Sequence, residues 1–336
     1  MSTKKKKLKV EELHLYTTAF DGDVSKDRET YIGGSDVGTI LGFNKFKSPY
    51  ELFLEKTGQI DRESLDDRLQ IKLGHKMEQV VAELYEEETG AKTQMSNRSY
   101  RCKEYPFLVG HIDRKIQKRK KGLEIKTTSS HNRTDYTEGE VPPTHYYQCM
   151  FYMIITGMHD WDLATLRDNN GFYITHIKWD KQVAEDMLDR ILAFWECVKN
   201  KTWTLEIDGT DSTSIALDKA YPVSVEKQLP TVINSNETIT SIEQYYEAKK
   251  AIADLQEIAN SFENEVKSLM QENENAIVNN QYRVSWKTST RAGGYDVKKY
   301  LADHPKSELT KYKKPDTTVR RFTIKEIKQV KEIKGE

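Results

Sequence analysis

Val109-Gly110-His111-Ile112-Asp113, followed by Gly122-Leu123-Glu124-Ile125-Lys126-Thr127, spells D-x(10)-E-x-K across two segments that read as neighbouring strands. Side chains on a strand alternate faces, so Glu124 and Lys126 point the same way while Leu123 and Ile125 pack behind them. Asp113, at the end of the preceding strand, adds a second carboxylate. Two carboxylates with open positions make an oxygen-rich site suited to Mg²⁺ rather than a closed protein cage. The Lys126 ammonium stands where oxyanion charge would build up. Together these groups suit metal-assisted cleavage of a phosphodiester.

Glu-x-Lys in a strand also occurs as an exposed ion pair, and the motif alone does not separate the two readings. The surroundings favour the first, because apolar residues flank each acid and other segments place polar residues where packing would favour apolar ones. Glu78 borders the inward face of a long helix, with Gly74 before it and Val81, Ala82 and Tyr85 after it; a carboxylate there needs a partner, a cation or a route to water. Gln148 lies among Thr144, Phe151 and Tyr152 on a largely apolar helix, where an amide either orients a water or a phosphate or serves as a structural hydrogen bond. Ser35, after Gly33-Gly34, reads first as a helix N-cap, and the same geometry offers a hydroxyl and backbone N–H groups to a phosphate. His75, His111, His131 and His145 share no ligand spacing and are read as surface or packing residues.

The chain of 336 residues is long enough for one large domain or a domain with an appendage. An apolar fraction of 37%, with 5 Trp, 18 Tyr and 10 Phe, excludes a disordered chain. The 52 basic and 53 acidic residues nearly cancel, so net charge says nothing about a polyanionic partner. Charge is uneven, however: Gln281 to Glu336 hold 15 Lys/Arg against 7 Asp/Glu, and Lys4 to Lys7 form a run that reads as a solvated tail. Cys102, Cys149 and Cys197 lie far apart with no C-x-x-C spacing, which argues for a reducing cytoplasm and against zinc or iron–sulfur ligation. The apolar run around Met150 to Ile155 is too short to span a bilayer, so a soluble, unsecreted protein is expected.

Residues 1–30 read as an arm or first helix. A turn and short helix end at Gly42, and Pro49 opens a second helix. A long helix spans about 65–90, with an apolar stripe of Leu69, Leu73, Met77, Val80 and Leu84, and stops at Gly90. Strands follow to about Thr128, then a polar loop over Ser129 to Val141. Pro142-Pro143 opens a helix to about Ile155, a hairpin turns at Asn169-Asn170-Gly171, and another helix covers roughly 180–199. This order predicts an α/β fold with a mixed central sheet. Residues 204–240 read as irregular. Beyond them Ala248, Ile252, Leu255, Ala259, Phe262, Val266 and Leu269 form an a/d seam, read as a packing face within the same protein rather than an intermolecular coiled coil. The expected organisation is an arm (1–30), a core (31–203), a linker (204–240) and a C-terminal helix, hairpin and basic subdomain (241–336).

Five blocks occur in a fixed order: Ile32-Gly-Gly-Ser-Asp-Val37, Leu73-Gly-His-Lys-Met-Glu78, Val109-Gly-His-Ile-Asp113, Leu123-Glu-Ile-Lys-Thr127 and Pro143-Thr-His-Tyr-Tyr-Gln148. Together they resemble the YqaJ-like viral recombinase family, which is similar to phage lambda exonuclease within the PD-(D/E)xK, restriction-endonuclease-like nucleases. The resemblance covers roughly residues 28–200. The heptad helix, Trp286-Lys287 and Arg320-Arg321-Phe322 resemble the tail of phage members more loosely. His111-Ile112 stands where the name motif sets a proline before the aspartate.

The resemblance implies a restriction-endonuclease-like core with Glu78, Asp113, Glu124 and the Ile125 carbonyl as ligands of Mg²⁺, or of Mn²⁺ in its place. It also implies that Lys126 activates the attacking water, Gln148 supports the site, and Ser35 and Arg28 hold DNA phosphate. The implied activity is that of a bacterial-cytoplasmic deoxyribonuclease digesting linear double-stranded DNA from its ends, 5′ to 3′, to leave 3′ strands for a RecT-like single-strand annealing protein. A homo-oligomer is implied, a trimeric ring being one form. An endonuclease or flap nuclease using the same site, and a non-catalytic DNA-binding recombination accessory, are the alternatives. The basic C-terminal region reads either as a docking or DNA-tracking element or as a subdomain that completes the fold.

Overall fold

The computed structural model describes residues 15–16, 27–64, 67–96, 99–129, 140–168, 171–224, 233, 235–290, 293, 296–304 and 312–315. Lys4 to Lys7, His131, the tip of the Asn169-Asn170 turn and Arg320-Arg321-Phe322 lie outside the described residues. The described chain falls into two compact units, one built on residues up to Val223 and one on Ser224–Val319.

The first unit is α/β. Its helices are α1 (Gly34–Ile40), α2 (Pro49–Lys56), α3 (Leu69–Thr89), α4 (Pro143–Thr156), α5 (Lys181–Asn200) and α6 (Asp211–Ala220). Strands β1 (Leu15–Tyr16), β3 (Tyr100–Cys102) and β4 (Val109–Gly110) form a small antiparallel sheet. The central sheet runs in the order β2 (Thr93–Met95), β5 (Arg114–Ile116), β6 (Gly122–Thr128), β7 (Asp160–Arg167) and β8 (Gly171–Lys178). It is mixed, because β6 and β7 pair parallel, in register Glu124 to Leu163, while the other neighbours are antiparallel. Parallel neighbours need a crossover, and α4 supplies it.

Local signals set the helix ends. Ser48 accepts the Glu51 N–H at the start of α2, with Pro49 at its first position, and Gly90 and Gly157 end α3 and α4 at φ of 66° and 63°, in the left-handed region. The larger apolar cluster gathers Ile32, Val37, Phe151, Ile155, Trp161 and Phe194, and a smaller one sets Leu123, Ile125 and Ala164 against Val81, Ala82 and Tyr85 of α3. At the edge of the smaller cluster Asp162 accepts from Tyr85 Oη at 2.6 Å and pairs with Lys121 at 2.8 Å. Cys102, Cys149 and Cys197 are free and buried. Among the described residues no helix is long and apolar enough to cross a membrane.

Two expectations need correction. The apolar stripe read along α3 is largely open, with Leu69, Leu73 and Val80 66%, 49% and 41% exposed, while the face read as inward, with Val81, Ala82 and Tyr85, is buried. The buried residues of α3 all lie in its C-terminal half. Residues 204–240 are not all irregular, since α6 buries Thr213 and Ala216 and lies against α2, where Ser212 Oγ accepts the Ser48 N–H at 2.8 Å. Thr210 caps α6 through the Thr213 N–H.

The second unit holds α7 (Asn236–Met270), the hairpin β9 (Asn275–Val278) and β10 (Tyr282–Ser285), and α8 (Val297–Asp303). Along α7 the heptad positions Ile252, Leu255, Phe262 and Leu269 are exposed.

Candidate active site

β6 holds the candidate groups because its two faces differ. Leu123 and Ile125 fill the small cluster under α3, and Glu124, only 1% exposed, faces α4. Asp113 sits just before β5, whose Arg114 pairs with Leu123. Val109 and Gly110 belong to the small sheet instead, so the acid stands at the entrance of β5 and not at the end of their strand. Its Oδ2 accepts the Ile125 N–H at 2.8 Å, which ties it to β6 beside Glu124.

Glu124 Oε1 collects two donors. The Lys126 ammonium pairs with it directly, and Gln148 Nε2 of α4 donates to it at 2.6 Å. Gln148 also donates to the Tyr152 hydroxyl at 3.0 Å, one turn further along α4. Sequence reasoning did not single out Tyr152; its signal was the four-residue step from Gln148, which sets a hydroxyl and an amide on one helix face. Glu124 Oε2 is buried with no hydrogen-bond partner.

Burial pushes Glu124 up to about 8, and the neighbouring Asp113 carboxylate adds to the shift while Lys126 opposes it. Asp113 is likewise raised by burial, against the pull of Lys126 and the Ile125 N–H. For Lys126 burial works against the charge, but Glu124 and Asp113 outweigh it and hold the ammonium above the usual lysine range. One ammonium thus serves two crowded acids, which favours a bound proton on them or a divalent cation in its place.

Glu78 is placed differently. Its side chain is 38% exposed on α3 and pairs with His75 Nδ1 at 3.1 Å. Its charge nevertheless raises both Asp113 and Glu124. Among the described residues no three His, Cys, Asp or Glu side chains are gathered closely enough to ligate one ion. The donors still fit a hard divalent cation: they are oxygens, and one buried carboxylate oxygen has no other partner.

Ser35 does not cap α1. Gly33 is the N-cap, Asp36 in the first turn accepts the Gly33 N–H at 3.1 Å, and the exposed Ser35 hydroxyl accepts from Arg28 Nη2 at 2.7 Å. Asp36 is buried, yet Lys56 at 3.1 Å, the Arg28 guanidinium and the Gly33 N–H together keep its carboxyl below the usual range. Lys56 also donates to the carbonyls of Arg28 and Tyr31, at 2.7 and 2.6 Å, which anchors the segment before α1. α1 lies flush on α4: a Cβ on Gly34 would stand 2.6 Å from the Tyr152 ring, and one on Gly38 would stand 2.9 Å from Thr144. Asp113, Glu124, Lys126 and Gln148 therefore form one group, Ser35 and Arg28 a second, and Glu78 reaches the first only through its charge.

The model of the YqaJ-like viral recombinase domain matches residues 24–159. The YqaJ protein of Bacillus subtilis (strain 168) is 31% identical over 304 residues, covering 90% of this chain and 93% of that protein. Among solved structures, the alkaline exonuclease LHK-Exo of Laribacter hongkongensis is 16% identical and covers 52% of this chain and 90% of its own, with a TM-score of 0.41. A phage-related exonuclease of Haemophilus somnus 129PT is 11% identical, covering 51% and 94%, with a TM-score of 0.40. With the match to YqaJ running along nearly the whole of both proteins, the chain belongs to the YqaJ-like viral recombinase family.

Proposed function

We propose that this protein is a metal-dependent deoxyribonuclease that digests linear double-stranded DNA from its ends. The observation that carries this reading is the buried Glu124 carboxylate, one oxygen held by Lys126 and Gln148 and the other orphaned, beside Asp113. Asp113, Glu124, the Ile125 carbonyl and Glu78, once released from His75, would hold Mg²⁺, with Mn²⁺ as a substitute. A bound divalent ion lowers the pKa of water and offsets phosphate charge.

The protein's own groups do the rest. Gln148 fixes the Glu124 rotamer, and Tyr152 in turn fixes Gln148. Lys126 presents its ammonium to the attacking water and to the charge that grows on the phosphate. Arg28 and Ser35, already bonded to each other, offer a cation and a hydroxyl to a DNA phosphate.

Membership of a viral recombinase family supports a 5′-to-3′ direction, with 3′ strands handed to a RecT-like annealing protein, and a homo-oligomer. A labelled linear duplex with Mg²⁺ tests the activity: the parent shortens it, while Glu124→Ala and Lys126→Ala lose at least about 100-fold, the scale of removing one charge-stabilising group. Equal digestion by all three removes the hydrolytic reading. Covalently closed circular DNA left intact separates exonuclease from endonuclease, and protected 5′ or 3′ ends report the direction. The pairing of Glu78 with His75 favours one second reading, a DNA-binding accessory without turnover, which predicts binding but no metal-stimulated digestion.

A further inference from the structure

Lys56 is the last residue of α2, and its side chain is only 2% exposed. An ammonium has three donors, and here all three are engaged inside the protein: by the Arg28 carbonyl at 2.7 Å, the Tyr31 carbonyl at 2.6 Å and Asp36 Oδ2 at 3.1 Å. The Asp36 carboxylate, buried beside it, offsets its charge. Lys56 therefore has neither a spare donor nor a spare charge for a ligand. A buried ion pair adds little net stability over apolar residues of the same volume, so the consequence of this one lies in what it holds in place.

It holds the backbone of Arg28. That residue lies in a single 3-10 turn, Arg28–Thr30, which buries none of its residues and in which the Thr30 N–H donates to the Asp27 carbonyl at 2.9 Å. A turn this short has almost no cooperativity of its own. Beyond it the chain is fixed at Ile32, whose N–H donates to the Phe107 carbonyl and whose carbonyl accepts the Val109 N–H. Before that point Lys56 fastens the Arg28 carbonyl from 28 residues away in sequence. On the other side Arg28 Nη2 donates to Ser35 Oγ, and Asp36 Oδ1 stands 3.9 Å from the same Nη2. One buried ammonium thus ties the main chain of Arg28 to Asp36, in the first turn of α1 that also carries Ser35.

We infer that Lys56 is a positioning residue for DNA phosphate: it presets Arg28 and Ser35 in their paired geometry without touching DNA itself. The inference rests on the reading of Arg28 and Ser35 as phosphate-binding groups. Presetting matters because an arginine side chain has many rotamers, and ordering them during binding lowers affinity. A fastened backbone and an already bonded guanidinium leave less to order.

Binding of a fluorescent linear duplex in chelator tests this without any cleavage. Arg28→Ala is expected to weaken binding at least about tenfold, the scale of one hydrogen bond to a charged group. Lys56→Met is expected to weaken it several-fold, and to add nothing further once Arg28→Ala is present, because it acts through that side chain. In steady-state digestion Lys56→Met raises KM and leaves kcat within about twofold, whereas a loosened fold lowers kcat as well. Lys56→Met alone strands the Asp36 charge; Lys56→Met/Asp36→Asn removes both charges, keeps the fold, and is expected to show the same loss and the same dependence on Arg28. Additive losses, a fall in kcat, or full affinity in both Lys56 variants while Arg28→Ala is weakened would overturn the inference and leave the phosphate reading standing. Full affinity in Arg28→Ala would overturn both.

Discussion

A carboxylate that is 1% exposed must either bind a proton or face a cation, and Glu124 does both in part. Its folded pKa, about 8, lies above the ordinary 4.5, so its contribution to stability is fully present below about pH 4.5 and is lost as pH rises toward 8. In metal-free buffer Glu124→Gln is therefore expected to melt near the parent at pH 5 and above it at pH 8, while losing nuclease activity. Each ~1 kcal/mol of relief moves the midpoint of a unit this size by roughly 2–4 °C. Thermal melts in chelator at the two pH values check this, and a variant that melts lower than the parent at pH 8 would sink it. Glu124, Lys126 and Gln148 were legible because alternation and apolar neighbours mark polar residues that packing does not explain. Ser35 was less legible, since α1 starts one residue earlier, at Gly34, which puts Ser35 inside the first turn rather than at the cap.

At the scale of elements, the contact of α1 with α4 holds the site together. Gly34 is needed there for closeness rather than for backbone freedom, because any Cβ would meet the Tyr152 ring at 2.6 Å. Gly34→Ala is expected to cost about 1–3 kcal/mol, the usual range for overpacking, and to lower activity by displacing Tyr152 and with it Gln148. Denaturant unfolding and digestion rate, measured on the same preparation, report the two effects. Unchanged values for both would show that the helices can part without consequence. Helix and strand limits were largely readable, as Ser48, Pro49, Gly90 and Gly157 act within a few residues of themselves. The open stripe of α3 was not, because periodicity marks an apolar face without showing whether another element covers it.

For the whole molecule, metal binding and folding should be coupled. Two acids raised by burial destabilise the metal-free fold, so saturating Mg²⁺ is expected to raise the melting midpoint, by about 2.7 kcal/mol at one hundred times the dissociation constant. Asp113→Asn should abolish most of that shift, and a parent indifferent to Mg²⁺ would count against the proposed ligand set. The residues alone determined the alternation on β6, the order of the elements, the α/β class and the heptad register of α7, because each depends on neighbours within a few positions. Only the tertiary structure decided that Gln148 reaches both Glu124 and Tyr152, that Glu78 turns to His75 and that α6 closes over α2. Burial and pairing depend on groups far apart along the chain, and no local pattern specifies which surfaces meet.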